Sequence, residues 1–250
     1  SSAASDVYKR QNVGKARSLF PGHYQPKVPA DLGYYDLRVP ETRQAQADMA
    51  REYGIEGFCY WHYWFGNGKR LLERPFNEVL ASGKPDFPFC LAWANESWKG
   101  FFHGVKTKQA LITQLYPGED DYIAHFETVL PAFKDPRYIT VDDKPVFMIY
   151  QPFQHPQIKE FMALWQKLAM NNGLKGIFFI GQTYHLTEER AELMDMGFDA
   201  INVTRLFDFE KKAKFLYKCA KWRHRIFRCP KIMEYKRESR FFVGDEEYAP

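Results

Sequence analysis

Residues 51–98, REYGIEGFCYWHYWFGNGKRLLERPFNEVLASGKPDFPFCLAWANESW, contain two short apolar runs, IEGFCYW at 55–61 and PFCLAWA at 88–94. Each is too short for a helix and rich in aromatic side chains, which suits a strand covered on both faces. Three more runs of the same kind follow at 145–150, 176–181 and 199–204. Between the runs the period changes to that of a helix. Pro40 suits the first turn of a helix passing through Ala45, Met49 and Tyr53 and closing at Gly54. Tyr122, Phe126, Val129 and Phe133 make a second helical face, and Ile158, Phe161, Trp165 and Leu168, stopped at Gly173, a third. Thr187 is read as the cap of a short helix ending at Gly197. Strands alternating with helices predict an α/β fold with a parallel sheet. A doubly wound dinucleotide fold needs GxGxxG after a strand, and the GNG at 66–68 lacks the third glycine; no GxxxxGK[ST] occurs either. The expectation is therefore a (β/α)8 TIM-type barrel.

Composition narrows the functional classes. The chain has 250 residues, 45% of them hydrophobic, 26% charged, with a mean hydropathy of −0.50. That excludes a disordered polymer, and no apolar run reaches the ~20 residues of a membrane-spanning helix. Aromatics are abundant, with 22 Phe, 15 Tyr and 6 Trp. The net charge of +4 is carried by the end of the chain, where residues 205–250 hold 13 Lys/Arg against 7 Asp/Glu. Neither zinc-finger spacing nor a helix-turn-helix accompanies that basic stretch, which argues against nucleic acid as a partner. From Lys211 to Arg228 it sets Phe215, Cys219, Trp222 and Ile226 at helical spacing. Such a helix, within a basic excursion over 205–240, either touches an anionic membrane surface peripherally or packs on the barrel with a solvated outer face. Cys59, Cys90, Cys219 and Cys229 include no CxxC, so neither a metal nor a disulfide framework is expected. Cys59 and Cys90 are read as buried thiols, and a reducing cytoplasm is the expected location. Residues 1–11, SSAASDVYKRQ, have no hydrophobic period and are read as a non-native adaptor-like scar preceding a domain over 12–250.

Barrel active sites gather at the carboxyl ends of the strands. Here those positions hold Trp61, His62, Tyr63 and Trp64, then Trp93, Asn95, Glu96 and Trp98, then Tyr150 and Gln151. Gln182, Tyr184 and His185 follow, and finally Thr204 and Arg205. Rings, amides and a carboxylate suit a sugar, whose apolar CH face stacks on aromatics while its hydroxyls pair with amides and acids. Glu96, next to Trp93 and Trp98, is the candidate acid, because apolar neighbours raise a carboxyl pKa. It could equally hold a sugar hydroxyl or pair with Arg205. No second carboxylate stands out at a strand end, as the common two-acid glycosidase arrangement requires. Asn-Glu-Ser at Asn95 and Asn-Val-Thr at Asn202 match the glycosylation acceptor pattern, but both fall at strand ends, where a glycan has no room.

Four segments, LFPGHYQPKVPADLGYYDLR, the block at 51–98, DPRYITVDDKPVFMIYQP and FDAINVTRLFDF, resemble WbsX-like proteins, also called glycoside hydrolase family 99-like domains. The resemblance implies a (β/α)8 barrel and glycan chemistry in bacterial polysaccharide and O-antigen loci. Family 99 hydrolases are endo-acting on α-mannosides, retain configuration and use the sugar's own 2-hydroxyl. Their acid pair lies in an Asn-Glu-Trp-x-Glu-Gly type motif, which this chain lacks. The resemblance thus implies a fragment lacking the first strand and the last two strands of the barrel, with the acid pair outside it and little activity of its own. WbsX-like members are also described as glycosyltransferases. The chain has no Asp-x-Asp metal-holding pair, which favours a glycosidase-like reading over a glycosyltransferase of lipopolysaccharide assembly. A non-catalytic glycan-binding module is the remaining alternative.

Overall fold

A computed structural model describes residues 17, 20–22, 30–99 and 110–204. Helix α1 spans Pro40–Glu52, β1 Phe58–His62, α2 Arg74–Ser82 and β2 Phe89–Trp93. A small hairpin, β3 (Trp98–Lys99) with β4 (Ala110–Ile112), leads to α3 (Glu119–Phe133). Then come β5 (Thr140–Val141), β6 (Lys144–Ile149), a 3-10 turn at Pro152–Gln154, α4 (Ile158–Asn171), β7 (Phe178–Thr183), α5 (Leu186–Met196) and β8 (Ala200–Val203).

Five strands form a parallel wall in the order β1-β2-β6-β7-β8, each beside its successor. A doubly wound sheet would reverse direction at its middle, whereas this order advances in one direction only, as a barrel wall does. Among the described residues β1 and β8 are the two ends of the wall. The short β5 turns back onto β6 through Asp142 and Asp143, both at positive φ (51° and 62°), as a two-residue hairpin loop of the twist-matching kind requires.

Register separates the two faces of the wall. Trp61, Ala92, Met148, Ile180 and Ala200 lie side by side on the face turned away from the helices, the inner face. One residue further along, His62, Trp93, Ile149, Gly181 and Ile201 point to the helices. That helix-facing layer is the core. Phe147 packs on Trp165 (4.8 Å between centroids), Trp93 on Phe161 (5.3 Å) and Tyr60 on Phe76 (5.3 Å), all against helices α2 to α4. Each buried aromatic of this size contributes roughly 2–3 kcal/mol by area. At the amino end of β1, a Cβ on Gly57 would meet Pro88 O at 2.9 Å and Ile139 Cδ1 at 2.8 Å, so only glycine fits.

Three sequence expectations are corrected. Helix α1 buries Arg43, Ala47 and Ala50 and leaves Ala45 and Tyr53 exposed, because Arg43 reaches Glu78 (2.9 Å) and the Leu37 carbonyl (2.7 Å). Thr187 lies inside α5, whose amino-terminal cap position is His185. The Thr183 hydroxyl there accepts from the His185 amide (2.9 Å) and donates to Glu189. Cys59 is exposed, not buried, because β1 is the end strand and Cys59 points inward. Helix α2 was missed, although Pro75 in its first turn and Gly83 at its carboxyl end (φ 67°) are the usual signals. Residues 1–11, the 205–240 excursion with Lys211 and Arg228, Cys219, Cys229 and Arg205 lie outside the described residues. Among the described residues no helix is long and apolar enough to cross a membrane.

Candidate functional site

The inner face of the wall, toward the carboxyl ends of its strands, carries one continuous strip of polar and aromatic groups. Trp61, 41% exposed, stands edge-on to Tyr150 (5.3 Å, 84°) although β2 runs between their strands. Ala92 occupies the intervening position, so no side chain of β2 blocks the approach. The Tyr150 hydroxyl is 2.9 Å from that of Tyr184, to which Gln182 Nε2 donates at 3.4 Å. Asn202 Nδ2 in turn donates to Gln182 Oε1 (3.1 Å) and lies 3.6 Å from Met148 Sδ. A stacking ring, two phenols and two amides thus run from β1 to β8.

Glu96 stands at one side of this strip, just past β2. Its charge raises the pKa of both Tyr63 and Tyr150, so it lies near each of them. Burial raises its own pKa, and Lys99 offsets this in part. Tyr63 is pushed up to about 12, by burial first and by Glu96 second. Among the described residues the Glu96 carboxyl makes no hydrogen bond or ion pair. Trp98, on β3, packs edge-on against Tyr63 (5.2 Å) and Phe65 (5.5 Å) and backs that corner.

Four expected site residues are not on this strip. His62 turns to the helices, with Nε2 2.8 Å from His125 Nε2; burial lowers its pKa to about 3 and holds that of His125 well below the ordinary histidine value. Trp64 stacks flat on His125 (4.7 Å, 2°) and donates Nε1–H to Asp121 (2.9 Å). Trp93 is 1% exposed and donates to the Trp64 carbonyl (3.0 Å). In each case strand alternation points the ring away from the inner face. Asn95 is wholly buried: Nδ2 donates to the Gln151 carbonyl (2.8 Å) and the Tyr116 hydroxyl (3.1 Å), and Oδ1 accepts from the Gln151 amide (2.8 Å). It clamps the ends of β2 and β6 and, being wholly buried, is closed to a sugar.

Trp61, Tyr63, Glu96, Gln182 and Tyr184 do lie on the inner side, with Trp98 behind Tyr63. Tyr150 and Asn202 join them. Tyr150 stood at a strand end in the sequence without being singled out, and Asn202 drew attention only as a glycan acceptor. Asn202 is exposed, unlike the buried Asn95. Its place in the strip was legible only as a polar residue inside an apolar strand. Among the described residues no group of three or more His, Cys, Asp or Glu is placed to hold a metal. A separate hollow of about 640 Å³ lies by Asn67, Gly68 and the acidic start of α3, and none of the strip lines it.

Comparison with known proteins gives three findings. A family model described as Glycosyltransferase WbsX matches residues 9–247. The protein WxcX of Xanthomonas campestris pv. campestris, in strain B100 and again in strain ATCC 33913, is 39% identical over 192 residues, covering 76% of this chain. The chain spans about a quarter of the length of these relatives (26%). Among solved structures, the GH99 endo-alpha-mannosidase from Bacteroides thetaiotaomicron shares the fold with a TM-score of 0.50 and 14% identity, over 79% of this chain and 61% of that one.

Proposed function

This chain belongs to the WbsX glycosyltransferase family, and from that premise we propose that its parallel wall is part of a TIM-type barrel whose inner face binds and processes a bacterial surface polysaccharide. Family and fold together make it a carbohydrate-active domain; the chemistry at the site is the proposal. The observation that carries it is Glu96, partly buried and without a hydrogen-bond or ion-pair partner among the described residues, beside the strip of Trp61, Tyr150, Tyr184, Gln182 and Asn202. Trp61 supplies a stacking platform, and the phenols and amides supply donors and acceptors for hydroxyls on the same sugar. Glu96, which burial keeps protonated to higher pH than an exposed glutamate, donates its proton to the glycosidic oxygen as the bond to the leaving sugar breaks, and water adds at the anomeric carbon and gives up a proton. Shared fold with an endo-alpha-mannosidase supports an endo-acting, α-mannoside-type substrate.

The family description supports a second reading, in which the same face holds the acceptor of an activated donor sugar. Incubation with α-linked manno-oligosaccharides, and separately with nucleotide sugars with and without a divalent ion, distinguishes the two. Shortened oligosaccharides abolished by Glu96→Gln support the first reading, and ion-dependent transfer supports the second. Binding without turnover makes the domain a glycan-binding module. If manno-oligosaccharides leave tryptophan fluorescence unchanged and Trp61→Ala alters nothing, the inner face is not a sugar site.

A further inference from the structure

Cys59 and Cys90 are register partners on the parallel strands β1 and β2. Each lies two residues before a residue of the inner row, Trp61 and Ala92, so both thiols point to the inner face. Neighbouring strands run ~4.8 Å apart, inside the 4.4–6.8 Å between Cα atoms that a disulfide spans. The two thiols lie within hydrogen-bonding reach of one another, which raises the Cys59 pKa and lowers that of Cys90. Accessibility is divided between them: Cys59 is exposed and Cys90 buried.

We propose that Cys59 and Cys90 are a redox-active dithiol, in which Cys59 receives a small-molecule disulfide and Cys90 resolves it to a cross-strand disulfide. Cys59, on giving up its proton, attacks one sulfur of the disulfide RSSR. That S–S bond breaks, a Cys59–SR bond forms, and RS⁻ leaves and is protonated. Cys90 then attacks Cys59 Sγ, and the second RS⁻ leaves and takes the second proton. The pair loses two electrons and two protons, and RSSR becomes two RSH. Only the exposed member can meet a bulky oxidant, whereas the buried one needs to reach no further than its register partner. The bond would tie the end strand of the wall to its neighbour two residues below Trp61.

The test uses the full chain with Cys219→Ser and Cys229→Ser, treated with oxidised glutathione and mapped by mass spectrometry of a non-reducing digest. A peptide joining Cys59 to Cys90, together with loss of alkylation at both and its return with dithiothreitol, supports the proposal. Cys90→Ser is expected to stop at a glutathione adduct on Cys59, and Cys59→Ser to leave Cys90 unreacted. A persistent adduct on Cys59 with Cys90 still alkylatable overturns the proposal, as does an absence of reaction at Cys59. Should Cys90→Ser fail to fold, the mapping of the intact pair decides alone.

Discussion

Replacing Asn95 with alanine removes three hydrogen bonds at once, two to the Gln151 backbone and one to the Tyr116 hydroxyl, at 2.8, 2.8 and 3.1 Å. Each contributes about 1 kcal/mol net, and the Gln151 amide and carbonyl then lose their partner at a wholly buried position, for a total of about 3–5 kcal/mol. In a chain of this size that lowers Tm by roughly 6–20 °C. Urea and thermal unfolding followed by circular dichroism measure it, alongside binding of manno-oligosaccharides by fluorescence well below the transition. The expected result is a large loss of stability with residual binding close to wild type. An Asn95→Ala protein that unfolds like wild type but no longer binds sugar would refute the clamp and return Asn95 to the site.

Trp61→Ala is expected to do the opposite, weakening oligosaccharide binding about tenfold or more while moving the urea midpoint less than Asn95→Ala does, because the ring is 41% exposed and lies outside the core. Glu96→Gln should raise stability at neutral pH. The folded-state pKa of Glu96 lies above the unfolded one, so the wild type is penalised once pH rises through the ordinary carboxylate range, and the two proteins converge below it. Urea midpoints from pH 4 to 8 check this. For His62 and His125 the sign is reversed. Their folded pKa values are depressed, so their contribution is complete above the unfolded value of 6.5 and is lost as pH falls below it, for His62 toward about 3. His125→Gln should flatten that acid limb of the stability profile.

All five wall strands were legible in the sequence, because a strand covered on both sides is an unbroken apolar run between turns. That same property hid which residues face inward. In FCYWH, Trp61 and His62 look equally suited to a sugar, and only the register of β1 against β2 sends one to the inner face and the other to His125. Trp93 and Trp64 were misplaced for the same reason. The buried Asn95 could not be told from a ligand-binding amide, since its partner Gln151 is distant in sequence. Glu96 was legible because it is the one carboxylate directly after an apolar strand end, although its company proved to be Tyr63 and Tyr150, with Trp93 pointing away. Two- and three-residue strands such as β3 and β4 carry too few residues for any period.

The contact between His62 and His125 also fixes where hydrogens sit. Two neutral imidazoles meeting through Nε2 need one to be the Nε2–H tautomer and the other the Nδ1–H tautomer. His125 Nδ1 is enclosed without a partner among the described residues, whereas His62 Nδ1 is not so orphaned. Placing hydrogen on His125 Nε2 leaves only a bare lone pair in the orphaned spot, and the alternative would strand an N–H there. The two rings are therefore locked as unlike tautomers, a difference that nitrogen chemical shifts of labelled histidine register directly.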